Sequence, residues 1–231
     1  AQSLTNIGSV YYKQCNYEKA KEVLQKAIEL LKICKSENTT EYANASNTLG
    51  LDILRLNKYD ESFQIIHEAF EIRKKIFNEK DNQDLCESLH SLGLNYYFKG
   101  DYKTALDYFS QAYEMRKRIF KDSNHHPDLA ISLNNIGVVY YSLGNDKTSL
   151  EYFSKAYEMR KRIFKDSDHP DLAQSLYNIG VNYIHIRDEK TSFEFFSKAY
   201  EMRKRIFNDS DHPDLAQALN KLGVKSRNMG D

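Results

Sequence analysis

The stretch HPDLAISLNNIGVVYYSLG (residues 126–144) decides the fold of this chain. Its proline suits the first position of a helix, where the missing N–H removes no hydrogen bond. Ile136, Gly137 and Tyr140 then share one side of that helix, because residues three and four apart lie on the same face. The Leu-Gly pair at the end of the stretch favours a turn. The stretch therefore predicts one amphipathic helix followed by a short connection.

The glycine at position 137 belongs to a series. Six glycines recur at intervals of 42 to 44 residues, namely Gly8, Gly50, Gly93, Gly137, Gly180 and Gly223. Each of the three prolines lies ten residues before one of them. Residues 152–181 and 195–224 are identical at 24 of 30 positions. Such a fixed period predicts a repeat protein, in which each unit packs only on its neighbours.

Each repeat contains a second helix after the turn. In the first copy Ala20, Leu24, Ala27 and Leu31 have helical spacing. We expect the two helices of a repeat to approach closely where small residues such as Gly137 and Ser149 face each other. The predicted array is a single domain over residues 1–231, divided at about 1–39, 40–82, 83–126, 127–169 and 170–212, with a final helix at 213–231.

The conserved spacing of these residues within the chain resembles the tetratricopeptide repeat. The resemblance rests on Ile-Gly-x-x-Tyr at 136–140, followed by Ser149, Phe153 and Ala156. The longer period, with Ala-Tyr-Glu-Met-Arg-Lys-Arg at 156–162, is similar to the long repeats of kinesin light chains. The resemblance covers essentially the whole chain, although Thr40 and Gln83 replace the proline in two copies. It implies an all-α fold, a right-handed superhelical solenoid of antiparallel helix pairs.

The composition excludes several classes of protein. Lys and Arg together number 33, as do Asp and Glu, so no net charge favours nucleic acid or a membrane surface. No apolar run approaches the ~18 residues of a membrane span. The three cysteines have no C-x-x-C spacing. Without a charged and apolar leader, we expect a cytoplasmic chain cut from a longer protein.

Two motifs raise alternatives to a plain scaffold. Arg-Lys-Arg at 116–118, 160–162 and 203–205 raises nucleic-acid binding. Because acidic turns follow, we expect exposed cations at helix C-termini, whose replacement by Gln in one triplet would cost only about 1 kcal/mol. The acidic loop at 209–214 lacks the glycine and glutamate of a calcium loop, and it lacks the Cys or second His at ligand spacing that zinc requires. We predict no metal, no cofactor and no enzyme.

The remaining candidate site is a surface, which we call the A-helix strip. It comprises the residues two and three before each repeated glycine and one, four and five after it, on the face turned away from the second helix. Amides can pair with both polar groups of an extended peptide backbone, and tyrosines supply apolar pockets. The predicted peptide-binding residues are Asn6, Lys13, Asn47, Arg55, Tyr97, Asn134, Asn135, Tyr141, Tyr177, Asn178 and Asn220.

The charges of the strip predict the chemistry of the partner. Four cations, Lys13, Arg55, Lys221 and Arg227, are opposed by one carboxylate, Glu87, which lies six residues before Gly93 on the edge of the same strip. A neutral to acidic segment with an aromatic or large apolar anchor would suit this balance. The resemblance points the same way, because the corresponding face contacts peptides in kinesin light chains. We predict a scaffold or adaptor that holds a partner's extended segment. The alternative is the sensor or regulatory arm of a larger protein.

Overall fold

The fold is known from a computed structural model, which describes residues 1–121, 125–165, 167–208 and 212–229, with residues 223–229 described by their backbone alone. Throughout these residues the chain forms eleven α-helices and no strand. The helices are α1 (Gln2–Lys13), α2 (Tyr17–Ile33), α3 (Thr40–Arg55), α4 (Tyr59–Phe77), α5 (Gln83–Lys99), α6 (Tyr102–Ile119), α7 (Pro127–Ser142), α8 (Asp146–Phe164), α9 (Pro170–His185), α10 (Glu189–Phe207) and α11 (Pro213–Met229).

The chain divides into two compact units. Unit 1 is Ala1–Ile119 and contains α1 to α6, and unit 2 is Phe120–Asp231 and contains α7 to α11. In both units consecutive helices form hairpins, and the second helix of a hairpin also packs on the first helix of the next one. These contacts confirm the all-α fold of stacked helix pairs. The division into copies at the boundaries given above remains a prediction.

A close approach of helices joins each hairpin, as the sequence predicts. A Cβ atom added to Gly137 would lie 2.8 Å from two ring carbons of Phe153, which is nearer than van der Waals contact allows. Ser149 Oγ donates a hydrogen bond of 2.9 Å to the carbonyl oxygen of Gly137. Ser62 and Ser192 donate in the same way to the corresponding glycines of their hairpins. The serine therefore satisfies a carbonyl while keeping the contact narrow.

Histidine caps the helices that begin with proline. At α9 the Nδ1 atom of His169 accepts from the N–H of Asp171 at 3.2 Å, and its ring stacks on Phe164 with centroids 3.5 Å apart. His126 caps α7 in the same way. The sequence pattern of proline and aspartate predicts these helix starts, and the structure adds that the imidazole supplies the accepting atom.

The first arginine of each Arg-Lys-Arg triplet is buried, contrary to the expectation that these cations are exposed. Arg160 and Arg203, with Arg73 at the same position of α4, are at most 5% exposed. Nη1 of each arginine donates to a backbone carbonyl in the first turn of the following helix, namely that of Asp84, Asp171 or Asp214. These side chains therefore join consecutive hairpins within each unit, and the expected cost of about 1 kcal/mol for losing a triplet is too small.

The third arginine of a triplet forms ion pairs instead. Arg118 makes two hydrogen bonds, of 2.7 and 2.8 Å, with the carboxylate of Asp81. Arg205 binds Asp168 with the same geometry. In the triplets at 116–118 and 203–205 the third arginine is thus engaged inside the chain, which opposes the uncompensated basic stripe that phosphate tracking requires.

Candidate functional site

The A-helix strip of unit 1 lies on α1, α3 and α5. At one edge Arg55 of α3 connects the first helices of successive hairpins. Its Nε donates to the hydroxyl of Tyr12 on α1 at 3.4 Å, and its guanidinium lies 5.3 Å from the ring centre of Phe98 on α5. Tyr97 packs edge to face with Phe98 at 5.6 Å. Arg55 is nonetheless exposed, and so is Lys13. This edge therefore offers cations supported by aromatic rings.

The asparagines of unit 1 have unequal access to solvent. Asn47, predicted to bind a peptide, is only 6% exposed and donates to Ser91 Oγ of the next first helix at 3.2 Å. Its Oδ1 atom is sealed from solvent and has no partner among the described residues. Asn47 therefore lies too deep to contact a ligand, which corrects the prediction. Asn6 is exposed and accepts from Gln2.

A connected row of side chains, which we call the amide row, runs along the A-helix strip of unit 2 and includes two of its residues. Arg203 Nη2 donates a hydrogen bond to Gln174 Oε1, and Gln174 Nε2 donates one to Asn178 Oδ1. Asn178 Nδ2 in turn donates to Asn134 Oδ1. Each of the three bonds is 2.8 Å long. The row crosses from α10 to α9 and from α9 to α7. It brings together two predicted residues, Asn134 and Asn178, both partly buried. Asn135 is also partly buried beside them.

Tyr177 is a second correction. It was expected to line an open pocket, but it is 7% exposed and its ring packs 5.3 Å from that of Phe196. The guanidinium of Arg203 covers it at 5.1 Å. Burial raises the pKa of the Tyr177 hydroxyl, against the opposing charge of Arg203. Tyr177 is therefore part of the core, whereas Ile184 on the same helix is 42% exposed.

Tyr141 is accessible but engaged. Its hydroxyl lies 2.7 Å from His185 Nε2, and His185 Nδ1 lies 3.2 Å from Asp146 Oδ1. The rings of Tyr141 and His185 are 4.3 Å apart. This contact ties the C-terminal ends of α7 and α9 to the start of α8. Tyr141 is half-buried and His185 is exposed, so a side chain could still pack on this pair.

The remaining predicted residues lie at the end of unit 2 or beyond the described side chains. Asn220 and Lys221 on α11 are exposed. The side chain of Arg227, counted in the predicted charge balance, lies outside the described residues, as do residues 209–211 of the acidic loop. In the described part of the chain no three His, Cys, Asp or Glu side chains are grouped as metal ligands. None of the helices described is long and apolar enough to cross a membrane.

The prediction from sequence missed Gln174 and the buried arginines. Gln174 precedes Asn178 by four residues, so the two amides meet on one helix face. The arginines follow the repeat period. We predicted them to be surface cations because cations at a helix C-terminus are commonly exposed. The available signal was a serine fifteen residues after Arg73 and Arg160, whose hydroxyl accepts from the same Nη1 atom.

The helix pairs, the repeated glycines and the strip define an all-helical repeat protein. Sequence models of the tetratricopeptide repeat match residues 1–32, 41–118 and 128–205. The chain belongs to the tetratricopeptide repeat family, and its repeats resemble those of kinesin light chains. None of the curated proteins compared with the chain matches it significantly.

Solved structures share this fold at low sequence identity. The nearly identical TPR-like repeats of a kinesin light chain-type protein from Podosopora anserina are 14% identical, with a TM-score of 0.70, covering 90% of this chain and 96% of that one. BtubC from P. vanneervenii is 18% identical, with a TM-score of 0.72, covering 91% and 82%. A Rap protein complexed with competence and sporulation factor is 17% identical, with a TM-score of 0.75, covering 96% and 63%.

Proposed function

We propose that this protein is a non-catalytic interaction scaffold that holds an extended segment of a partner along the A-helix strip of unit 2. The amide row carries the proposal. It fixes Asn134 and Asn178 across two adjacent helices, 44 residues apart in the chain. Preorganised amides lose little conformational freedom on binding, so their remaining donors and acceptors can pair with a peptide backbone at low entropic cost.

The hydrogen bonds leave polar atoms for a ligand. Asn134 accepts from Asn178 through Oδ1, and no described residue bonds its Nδ2 group. Val138, Val181 and the exposed Ile184 supply apolar surface along the same strip. An apolar anchor of the partner would therefore pack on Ile184 and the Tyr141 ring rather than on Tyr177.

Similar structures are consistent with this function. One is the Rap conjugation gene regulator of the plasmid pLS20 in complex with the Phr* peptide, 21% identical, with a TM-score of 0.72 over 94% of this chain and 61% of that one. Because this chain spans less than two thirds of the Rap proteins, peptide binding by them supports the proposal only through the shared fold. The same comparison is also compatible with the alternative, a regulatory arm. Such an arm would bind a segment along the same strip and carry an effector domain.

A peptide array followed by calorimetry tests the proposal. Binding peptides would first be selected with the whole chain. The double variant Asn135→Ala and Asn178→Ala should then weaken the best peptide by at least about tenfold, because truncation leaves backbone groups unpaired. A matched control is Lys155→Ala on α8, where the lysine lies over the ring of Tyr152 outside the strip. Equal dissociation constants for the double variant and the control would reject the strip as the binding site.

A further inference from the structure

The junction between the first two hairpins of unit 1 lacks the polar bonds of the junction that follows it. Where α4 meets α5, Arg73 Nη1 donates to the carbonyl of Asp84 and to Ser88 Oγ. Leu31 and Ala45 occupy the corresponding positions of α2 and α3. Neither of these side chains can make a hydrogen bond, so no arginine fastens the first hairpin to the second.

Apolar packing holds the first hairpin in place instead. One buried cluster joins α2 to α3 through Leu24, Ile28, Leu31, Leu49 and Ile53. In the part of the chain that the structure describes, the one side-chain hydrogen bond from this hairpin to α3 joins Tyr12 to Arg55 at 3.4 Å. The buried residues of α1 are only Thr5 and Gly8. The first hairpin is therefore the part of unit 1 that we expect to open most easily.

A carboxyl group without a partner is buried in α3 at this junction. Asp52 has no exposed surface, and no described residue bonds either of its oxygens. At the same position of α5, Asn95 Nδ2 donates to the carbonyl of Tyr59 in the first turn of α4 at 2.9 Å. Tyr17 of α2 occupies the place of Tyr59. A carboxylate has no donor for such a carbonyl, whereas a protonated carboxyl group has one.

No neighbouring charge compensates Asp52. Burial is the only influence on its pKa, which rises from 3.8 to about 7. The titratable groups on the helices packed against α3 interact with one another instead. The phenol of Tyr17 interacts with Cys15, Tyr12 and Arg55, and Asp60 of α4 forms an ion pair of 2.7 Å with Lys99 of α5. Ionisation of Asp52 would thus leave an uncompensated charge inside the junction, which costs more than the apolar contacts alone can offset.

We propose that the first hairpin, α1 with α2, is a pH-gated element that docks on α3 while Asp52 is protonated and undocks when Asp52 loses its proton. Undocking hydrates the carboxylate and uncovers part of the apolar cluster on α3. The device belongs to unit 1 and is independent of the proposed function, which uses the strip of unit 2.

Docking should weaken as the pH rises. The pKa of Asp52 is higher in the docked state, so the docked state is fully favoured below about pH 4 and becomes less favoured up to about pH 7. The docking constant should fall about tenfold per pH unit in this range, about a thousandfold in all, and stay constant above it. Asn182, buried without a partner among the described residues at the same position of α9, is neutral, so its hairpin should not respond to pH.

Hydrogen exchange measured by mass spectrometry on the whole chain tests the proposal. Protection factors, which correct for the pH dependence of intrinsic exchange, would be compared at pH 5 and pH 7. The protection of α2 amides should fall about a hundredfold, because an undocked hairpin cannot bury its apolar face alone. The protection of α6, two hairpins further along the same unit, should change by less than about threefold.

Variants at Asp52 decide whether this residue is the cause. Asp52→Asn should abolish the pH dependence of α2 protection. If that variant does not fold, Asp52→Val replaces it, since valine occupies this position in α1 and α7. The reciprocal variant Asn95→Asp should make the protection of α4 depend on pH. Equal protection of α2 at both pH values, or a pH dependence that persists in the Asp52 variants, overturns the proposal. An equal loss in α2 and α6 also overturns it, because unit 1 would then open as a whole.

Discussion

Asp52 in α3 is a buried carboxyl group whose replacement should stabilise the protein. It has no exposed surface, and no residue of the described chain hydrogen-bonds either of its oxygens. Burial raises its pKa from 3.8 to about 7. Asn95 occupies the same position of α5, and its Nδ2 donates to the carbonyl of Tyr59 at 2.9 Å. Asp52→Asn would place the same donor against the start of α2, without a charge.

The sign and size of the effect follow from linkage. Because the pKa of Asp52 is higher in the folded state, the folded chain binds a proton that the unfolded chain has already lost. The contribution of Asp52 to stability is therefore most favourable below about pH 4 and declines as the pH rises to about 7. The slope approaches about 1.4 kcal/mol per pH unit, which limits the total loss to about 4 kcal/mol. Above pH 7 the loss is constant.

Urea unfolding between pH 4 and 8 measures this difference. The free energy of unfolding of Asp52→Asn should exceed that of the parent chain by a few kcal/mol at pH 8, and the two should converge near pH 4. The reciprocal variant Asn95→Asp is the matched control and should show the opposite trend. Parallel pH profiles for Asp52→Asn and the parent would refute the reasoning, because they would mean that Asp52 is hydrated or paired in solution.

Three further predictions concern the packing, each measured by thermal or urea unfolding followed by circular dichroism. Gly137→Ala should destabilise by about 2 kcal/mol or more through overpacking, whereas Gly144→Asn, in a left-handed turn with open space, should cost under about 1 kcal/mol; similar values would contradict the close helix contact. Arg160→Gln should lower the free energy of unfolding by about 2–4 kcal/mol and Lys161→Gln by under about 0.5 kcal/mol. Equal losses for the two variants would mean that Arg160 is exposed in solution like Lys161. His169→Ala should cost about 1 kcal/mol, and no change would mean that the imidazole is not the cap.

The fold could be predicted because its determinants are local and periodic. The contact of Gly137 with the second helix depends on residues within one hairpin, twelve to sixteen positions apart. Helical spacing also predicts which residues of a first helix share a face. A single sequence therefore contains almost everything needed for the hairpin, and the period of 42 to 44 residues repeats it.

The depth of each side chain in the strip could not be predicted in this way. Whether an asparagine is open or buried depends on the neighbouring hairpin, since Asn47 bonds a serine 44 residues further on. Tyr177 is covered by Arg203, which the helix-dipole rule had placed at the surface. The sequence did contain one signal, because the arginine and its serine partner are absent together in one copy. In the first hairpin Leu31 occupies the place of the arginine, and Ala45 the place of its serine partner.

Differences between near-identical copies are where this array can acquire specificity. Packing residues such as the glycine and its serine partner are shared between α7–α8 and α9–α10, so both hairpins present the same backbone frame. Within that frame Gln174 accepts a hydrogen bond from Arg203, whereas Ile131, at the same position of α7, offers Arg160 no acceptor. The exchange removes one hydrogen bond inside unit 2 and leaves Arg160 Nη2 without a partner among the described residues. A duplicated scaffold thus turns a single loss of an internal partner into a difference between adjacent binding positions, without altering the helices that hold them.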